Sequence, residues 1–289
     1  MTGYEGWKRE AELILPNTVG VGFGRSGTTY VSHALSEHPE VCFSSRKETH
    51  FFSRHYRTDL SGYARYFEHC CGKGAKIVAE WSPDYILDEQ ALRRMQHVLL
   101  DPVKVLVCYR EPLDALKSAI RFRMSRGTVD RGLTVEEALE RHPDLIQQRF
   151  YDIHLERLFD VFPRKNVWVM PVESLVVNAD SFFRNLYDFL GIYYLDVHRT
   201  IPRSNVPQLY RSRAFHSALY RLLSLIYTEK KAKQLLKSHP SDKPAWLRIL
   251  QGLNTRAISI EFTPELEAKL TALFAPHMGN LERILARQG

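Results

Sequence analysis

Between Gly20 and Leu35 the chain reads GVGFGRSGTTYVSHAL, an apolar run that ends in glycines and passes directly into an amphipathic stretch. Thr18–Phe23 is predicted to be a strand, and Val31, Ala34 and Leu35 on one side of the following segment predict a helix. The loop Gly22–Thr29 then presents backbone N–H groups and a helix N-terminus, a geometry suited to an anion. Gly22, Gly24 and Gly27 permit positive φ and close backbone approach. Arg25 adds a fixed cation, and Ser26, Thr28 and Thr29 add hydroxyl donors. A turn that only joins a strand to a helix rarely combines all of these.

The same strand-then-helix pattern repeats down the chain. A short strand, Val41–Phe43, leads to a polar turn carrying Arg46, Lys47, Glu48 and His50, then Phe51-Phe52. Lys76–Glu80 reads as a buried strand ended by Pro83, and Asp88 is placed to cap a helix running to Leu100. Val103–Tyr109 is a continuous apolar strand, and Pro112 suits the first turn of the next helix. A helix Leu145–Phe162, a strand Asn166–Met170 and a helix Asp180–Leu190 stopped by Gly191 follow. The region Arg199–Asn254 is irregular and basic, and Thr263-Pro264-Glu265 opens a last helix to about Arg287. Uninterrupted apolar strands alternating with helices imply a single α/β domain over residues 1–289. The expected fold is P-loop-like and three-layered, a mostly parallel central sheet of about five strands flanked by helices.

Composition bears on partners and compartment. A net charge of +7 suits an anionic ligand or a polyanionic acceptor, and equally a surface that keeps the chain in solution. The cluster Lys230–Lys237 reads either way, as a polyanion site or a solvated helix face. No apolar stretch reaches the roughly 18 residues of a membrane span, and Glu5, Glu10 and Glu12 interrupt any signal-peptide layout. Cys42, Cys70, Cys71 and Cys108 lack the spacing of a disulfide framework or a zinc site. Cys42 and Cys108 lie in apolar runs and are expected to be core thiols, so a reducing, cytoplasmic location is expected. No nucleic-acid motif is present, and no nucleic-acid partner is expected.

The letters of the glycine loop narrow its ligand. Gly22 and Gly27 have the spacing of a nucleoside-triphosphatase loop, but Thr28 stands where that motif needs lysine. The cation is displaced to Arg25 and is followed by Ser26-Gly27-Thr28-Thr29. This arrangement resembles the 5′-phosphosulfate loop of sulfotransferases that use 3′-phosphoadenosine 5′-phosphosulfate (PAPS), where the family more often carries lysine at the position of Arg25. A second element of the resemblance is Tyr109-Arg110-Glu111-Pro112 with Ser118 eight residues after the arginine. A third is FPRKNVWVMPVESL with the helix ending Phe189-Leu190-Gly191. The chain resembles the carbohydrate and heparan-type enzymes and their soluble bacterial cousins through Lys47-Glu48-Thr49-His50-Phe51-Phe52.

The resemblance implies a site. Arg25, Ser26, Gly27, Thr28 and Thr29 would hold the 5′-phosphosulfate, with Arg25 also counted among the catalytic residues. Arg110 and Ser118 would hold the 3′-phosphate, a charge-assisted contact, and Arg211 would close a late loop over it. Arg110 could instead be a surface arginine paired with Glu111 or Asp114. Tyr30 stands where an adenine-stacking ring is often found, and core packing accounts for it equally well. The reaction implied is in-line sulfuryl transfer to a hydroxyl or amine, which needs positioning and charge stabilisation rather than a metal. The expected acceptor is a small molecule or carbohydrate. Glu48 is the first candidate for the base and His50 the second. On an extended segment the two would share one face. The heparan-type Glu-Lys-Ser-Pro is here Glu80-Trp81-Ser82-Pro83, so Lys47 or Arg25 must supply the missing charge, or Trp81 packs on the acceptor. Two other classes are compatible with the letters: a P-loop small-molecule kinase, and a non-catalytic basic protein that binds polyanions.

Overall fold

The structure, a computed structural model, describes residues 13–72, 74–99, 102–196, 208–210, 213–229, 231, 244–247, 250, 255–257 and 260–287. Strand β1 (Thr18–Gly22) is buried at every position, a pattern available only to a strand covered on both faces of a sheet. It is followed by α1 (Thr28–Glu37), β2 (Val41–Phe43) and two short helices, α2 (Phe51–Arg54) and α3 (Ser61–Ala64). Next come β3 (Ile77–Trp81), α4 (Glu89–Val98), β4 (Lys104–Tyr109) and α5 (Pro112–Arg126). The chain continues through α6 (Val135–Arg141), α7 (Asp144–Gln147), α8 (Tyr151–Val161), β5 (Val167–Pro171), α9 (Val172–Val177) and α10 (Ala179–Leu190). Last come β6 (Gln208–Tyr210), α11 (Arg213–Ile226), β7 (Thr255–Ala257) and α12 (Pro264–Ala286).

The strands β1 to β5 form one sheet in the order β2-β3-β1-β4-β5, and every pairing is parallel. Two apolar layers cover it. On one face Val19, Val21, Phe23, Val105 and Val107 meet Tyr151, Leu155 and Leu158 of α8. On the other, Leu35, Trp81, Leu106 and Cys108 meet Phe182, Phe183 and Leu186 of α10. Several ends follow the sequence closely: the Asp88 side chain accepts from the Gln90 N–H, Thr263 accepts from Leu266, and Gly191 closes α10 in a left-handed conformation. These caps satisfy helix-end groups that have no partner within the helix.

The chain divides into two compact units. The first, residues 1–119, 143–201 and 263–289, contains the parallel sheet. The second, residues 120–142 and 202–262, holds α6, started by a Thr134–Glu137 capping box, and a small core of Leu219, Leu223 and Leu247. It also carries the antiparallel pair β6–β7, in a region whose letters predict no strand.

Three expectations are corrected. The helix expected over 145–162 is broken between Gln147 and Tyr151, and Arg149 sits in the break. Cys42 is not a free thiol: it is bonded to Cys70, with 5.7 Å between their Cα atoms. The bridge ties the edge strand to a single helical turn, Glu68–Cys70, that folds back over it. Cys71 and Cys108 are free, so the thiol argument for a reducing compartment rests on them alone. Trp81 does not face an acceptor: it is 0% exposed and its Nε1 donates to the Gly22 carbonyl at 3.3 Å. Its ring occupies the space of a Gly20 side chain, where a Cβ would come within 2.0 Å of Cδ2.

Candidate active site

Parallel sheets gather their loops at the carboxyl ends of the strands, and here the ends of β1, β2, β3 and β4 carry the residues picked out by their letters. The Phe23 N–H donates to the Cys108 carbonyl at 2.6 Å, fixing the start of the glycine loop against β4. Arg25 follows with φ 72° and Gly27 with φ 73°. Gly27 caps α1, and the Tyr30 and Val31 N–H groups donate to its carbonyl. Ser26 and Thr28 are buried, Thr29 is exposed, and Tyr30 packs 6.2 Å from the Phe183 ring.

Arg25 Nε donates to Ser118 Oγ at 3.0 Å. The group assigned to one end of the nucleotide and the group assigned to the other are thus joined by one hydrogen bond. Arg110, at the end of β4, pairs with Asp114 Oδ2 at 3.1 Å, one of the two carboxylates its sequence neighbours offer. A third guanidinium, Arg149, completes the cluster and has no signature in the sequence. It is 2% exposed and precedes Tyr151, whose ring lies 4.5 Å from Phe23 and 5.8 Å from Tyr109. Burial holds the Arg25 guanidinium below its ordinary pKa, the charges of Arg110 and Arg149 add to this, and Glu48 opposes it. Arg211 lies outside the described residues.

Ser26 Oγ is buried and has no hydrogen-bond partner among the described residues. A Cβ on Gly24 would meet nothing within 4 Å. An orphaned buried hydroxyl beside clustered guanidiniums is costly in isolation, and an anionic oxygen would relieve both the hydroxyl and the charges. The residues fit such a ligand.

Opposite the loop, Glu48 and His50 depart from the extended backbone expected for them. Their φ values are 60° and 53°, and with Arg25 they are the three non-glycine left-handed residues among those described. The Glu48 N–H donates to the Trp81 carbonyl at 3.1 Å, which anchors the turn on β3. The Glu48 carboxylate accepts from Lys47 Nζ at 2.7 Å through Oε1, and its Oε2 lies 3.8 Å from His50 Nε2. Lys47 thus sets a cation directly on the Glu48 carboxylate. His50 Nδ1 meets Asp84 Oδ1 at 2.8 Å, and Asp84 Oδ2 accepts from Ser53 Oγ and Arg54 Nε at 3.0 and 3.1 Å. Burial alone would raise the Asp84 pKa, but hydrogen bonds from His50 and Ser53 with the charges of His50 and Arg54 bring it below the ordinary range. Asp84, like Arg149, is invisible to motif reading because its partner lies far away in the chain.

A glycine anion loop, a cation cluster and a carboxylate–imidazole–carboxylate row at the carboxyl edge of a parallel sheet define a P-loop-like α/β protein. The chain belongs to the sulfotransferase family of enzymes: residues 16–210 match the family described as "Sulfotransferase domain". It is 27% identical over 185 residues to heparan sulfate glucosamine 3-O-sulfotransferase 3B1 of Mus musculus, covering 62% of this chain and 46% of that protein. Over 111 residues it is 30% identical to the membrane-associated sulfotransferase kil1 of Dictyostelium discoideum, covering 38% and 23%. The chain thus spans less than half the length of these curated relatives. A crystal structure of a sulfotransferase from Alicyclobacillus acidocaldarius superposes with a TM-score of 0.64 at 22% identity, over 94% of this chain and 96% of that one, and shares its fold. Among the described residues no helix is long and apolar enough to cross a membrane.

Proposed function

We propose that the protein transfers a sulfuryl group from PAPS to a hydroxyl or amine of a carbohydrate or small-molecule acceptor, within a single catalytic domain and without a metal. One observation carries this reading: among the described residues, the three non-glycine residues in left-handed backbone are Arg25, Glu48 and His50. Each such conformation costs about 1–3 kcal/mol and persists where the surroundings over-determine it, most often at functional sites.

In this reading Arg25, Ser26, Gly27, Thr28 and Thr29 hold the 5′-phosphosulfate, and Arg110 and Ser118 hold the 3′-phosphate. Arg149 adds a third cation. PAPS, when bound, supplies the electrophilic sulfur. Glu48 accepts the acceptor's proton as the new oxygen–sulfur or nitrogen–sulfur bond forms and the bond from sulfur to the phosphate oxygen breaks. Arg25 stabilises charge on the departing oxygen. Lys47 occupies one Glu48 oxygen and leaves the other toward His50. His50, held by Asp84, keeps that carboxylate oriented and is the second candidate for the base. Exposed Arg46, Arg54 and Arg57 on the same segment suit an anionic acceptor.

Titration calorimetry with adenosine 3′,5′-bisphosphate and with ADP, each with and without magnesium, tests the donor. Metal-independent binding of the bisphosphate, tighter than that of ADP, is expected. Magnesium-dependent preference for ADP would replace the reading with a kinase. Radiolabelled PAPS offered with sugar, phenol and amine acceptors then identifies the acceptor class, and binding without transfer to any of them would leave only a polyanion-binding protein.

A further inference from the structure

Between the sheet and the segment that carries Glu48 and His50 lies a carboxylate out of reach of solvent. Glu80, near the end of β3, is 1% exposed. Four hydroxyls donate to it: Tyr63 and Tyr85 to Oε1 at 2.8 and 2.9 Å, Thr49 and Ser82 to Oε2, both at 2.9 Å. Three of the four also accept. The His50 N–H donates to Ser82 Oγ at 3.0 Å, the Phe51 N–H to Thr49 Oγ1 at 3.3 Å, and the Phe52 N–H to Tyr85 OH at 3.3 Å. Three consecutive backbone amides therefore reach one carboxylate, each through a single hydroxyl.

The chemistry of the group explains why a carboxylate stands here. An ionised carboxylate only accepts, so it can take all four hydroxyl protons and leave every hydroxyl oxygen free to accept an amide. An amide side chain at the same place has one acceptor oxygen and turns a donor toward two of the hydroxyls. Burial pushes the Glu80 carboxyl above its ordinary pKa, and the hydrogen bonds from Tyr63, Thr49, Tyr85 and Ser82 pull against that shift. A non-glycine residue keeps a left-handed backbone only under constraint, and two such residues, Glu48 and His50, flank Thr49.

We propose that Glu80 is a positioning residue. Through the hydroxyls of Ser82, Thr49 and Tyr85 it holds the amides of residues 50–52, and with them the backbone that aims Glu48 and His50 at the glycine loop. The inference rests on the reading of Glu48 and His50 as the proton-accepting pair. Glu80 itself touches neither donor nor acceptor; it acts through the turn.

The experiment has two arms. In the free, full-length protein, hydrogen exchange over residues 48–54 should quicken by about tenfold in Glu80→Gln and in Thr49→Val, the cost of an unmet buried hydrogen bond. Exchange over residues 20–35 should stay at the wild-type rate, and Thr49→Ser, which keeps the hydroxyl, should restore protection. In the transfer assay Glu80→Gln should lower kcat by about 10²-fold while bisphosphate affinity stays within about twofold. In a Glu48→Gln background the same substitution should have no further effect, because residues acting as a unit are not additive. Unchanged exchange overturns the proposal, and so does an equal fall in kcat with and without Glu48. A wild-type protein that transfers no sulfuryl group refutes the proposed reaction, and the exchange arm then decides the role of Glu80 alone. If Glu80→Gln does not fold, Thr49→Val and Ser82→Ala carry the same measurements.

Discussion

Gly27→Ala isolates what the anion loop demands of its backbone. Gly27 has φ 73°, and a Cβ built there lies 2.5 Å from Val172 Cγ2, at the start of α9. Alanine would pay for the left-handed conformation, about 1–2 kcal/mol. It would also meet the valine methyl well inside the 3.4 Å at which ordinary contact begins, so something must move by about 1 Å in a close-packed setting. Valine cannot turn away cheaply, since branching at Cβ restricts χ1, and relief by backbone movement costs about 1–3 kcal/mol. The substitution should therefore destabilise by about 2–5 kcal/mol in all. In a Val172→Ala background the offending methyl is gone, and only the backbone term of about 1–2 kcal/mol should remain. Urea titrations of the four proteins, with equal slopes, give the coupling as about 1–3 kcal/mol. If Gly27→Ala costs the same in both backgrounds, Val172 does not define the floor of the loop and the packing argument fails.

Three other outcomes follow from contacts elsewhere. Asp84 has a lowered pKa in the folded state, so it contributes stability above the ordinary Asp range that is lost as pH falls below about 4; urea midpoints of Asp84→Asn should lack that acid limb, and an unaltered limb would show that the His50 contact does not persist. The Cys42–Cys70 bridge spans 28 positions, a chain-entropy contribution of about 3.6 kcal/mol; the Cys42→Ser/Cys70→Ser protein should lose about that much in a denaturant titration, and reductant should not weaken it further. Arg149→Met should weaken binding of adenosine 3′,5′-bisphosphate by about 10–100-fold, the loss of one charge-assisted contact, with calorimetry as the readout; wild-type affinity would remove Arg149 from the site.

The five strands of the sheet were legible because each is an apolar run closed by charged or turn-forming residues, and the caps Asp88, Thr263 and Gly191 are local chemistry. The break before α8 was not. Leu145, Leu155 and Leu158 are all fully buried, so the apolar pattern carries straight across the interruption and conceals it. Strands β6 and β7 are three residues each, too short to alternate visibly. The Cys42–Cys70 pairing depends on a turn folding back over an edge strand, which spacing alone does not encode.

The site divides along the same line. Arg25, Glu48, His50, Arg110 and Ser118 were found by their neighbours in sequence, and the structure gathers all five into one unit. The alternation that an extended segment would give Glu48 and His50 does not hold, because both are left-handed. Glu80, Asp84 and Arg149 act on this site from 31 to 124 positions away, by the Glu80 Oε2–Thr49 and His50–Asp84 hydrogen bonds and the Arg149 charge on Arg25. Strand order supplies what spacing could not. With β3 paired to β2 through Phe43↔Ala79 and to β1 through Gly20↔Trp81, the segment Glu80–Asp84 must emerge between the turn that bears Glu48 and His50 and the glycine loop. Glu80, Ser82 and Asp84 on that segment all bond to Thr49 or His50 of the turn, so the letters after β3 shape that turn although they lie some thirty positions from it.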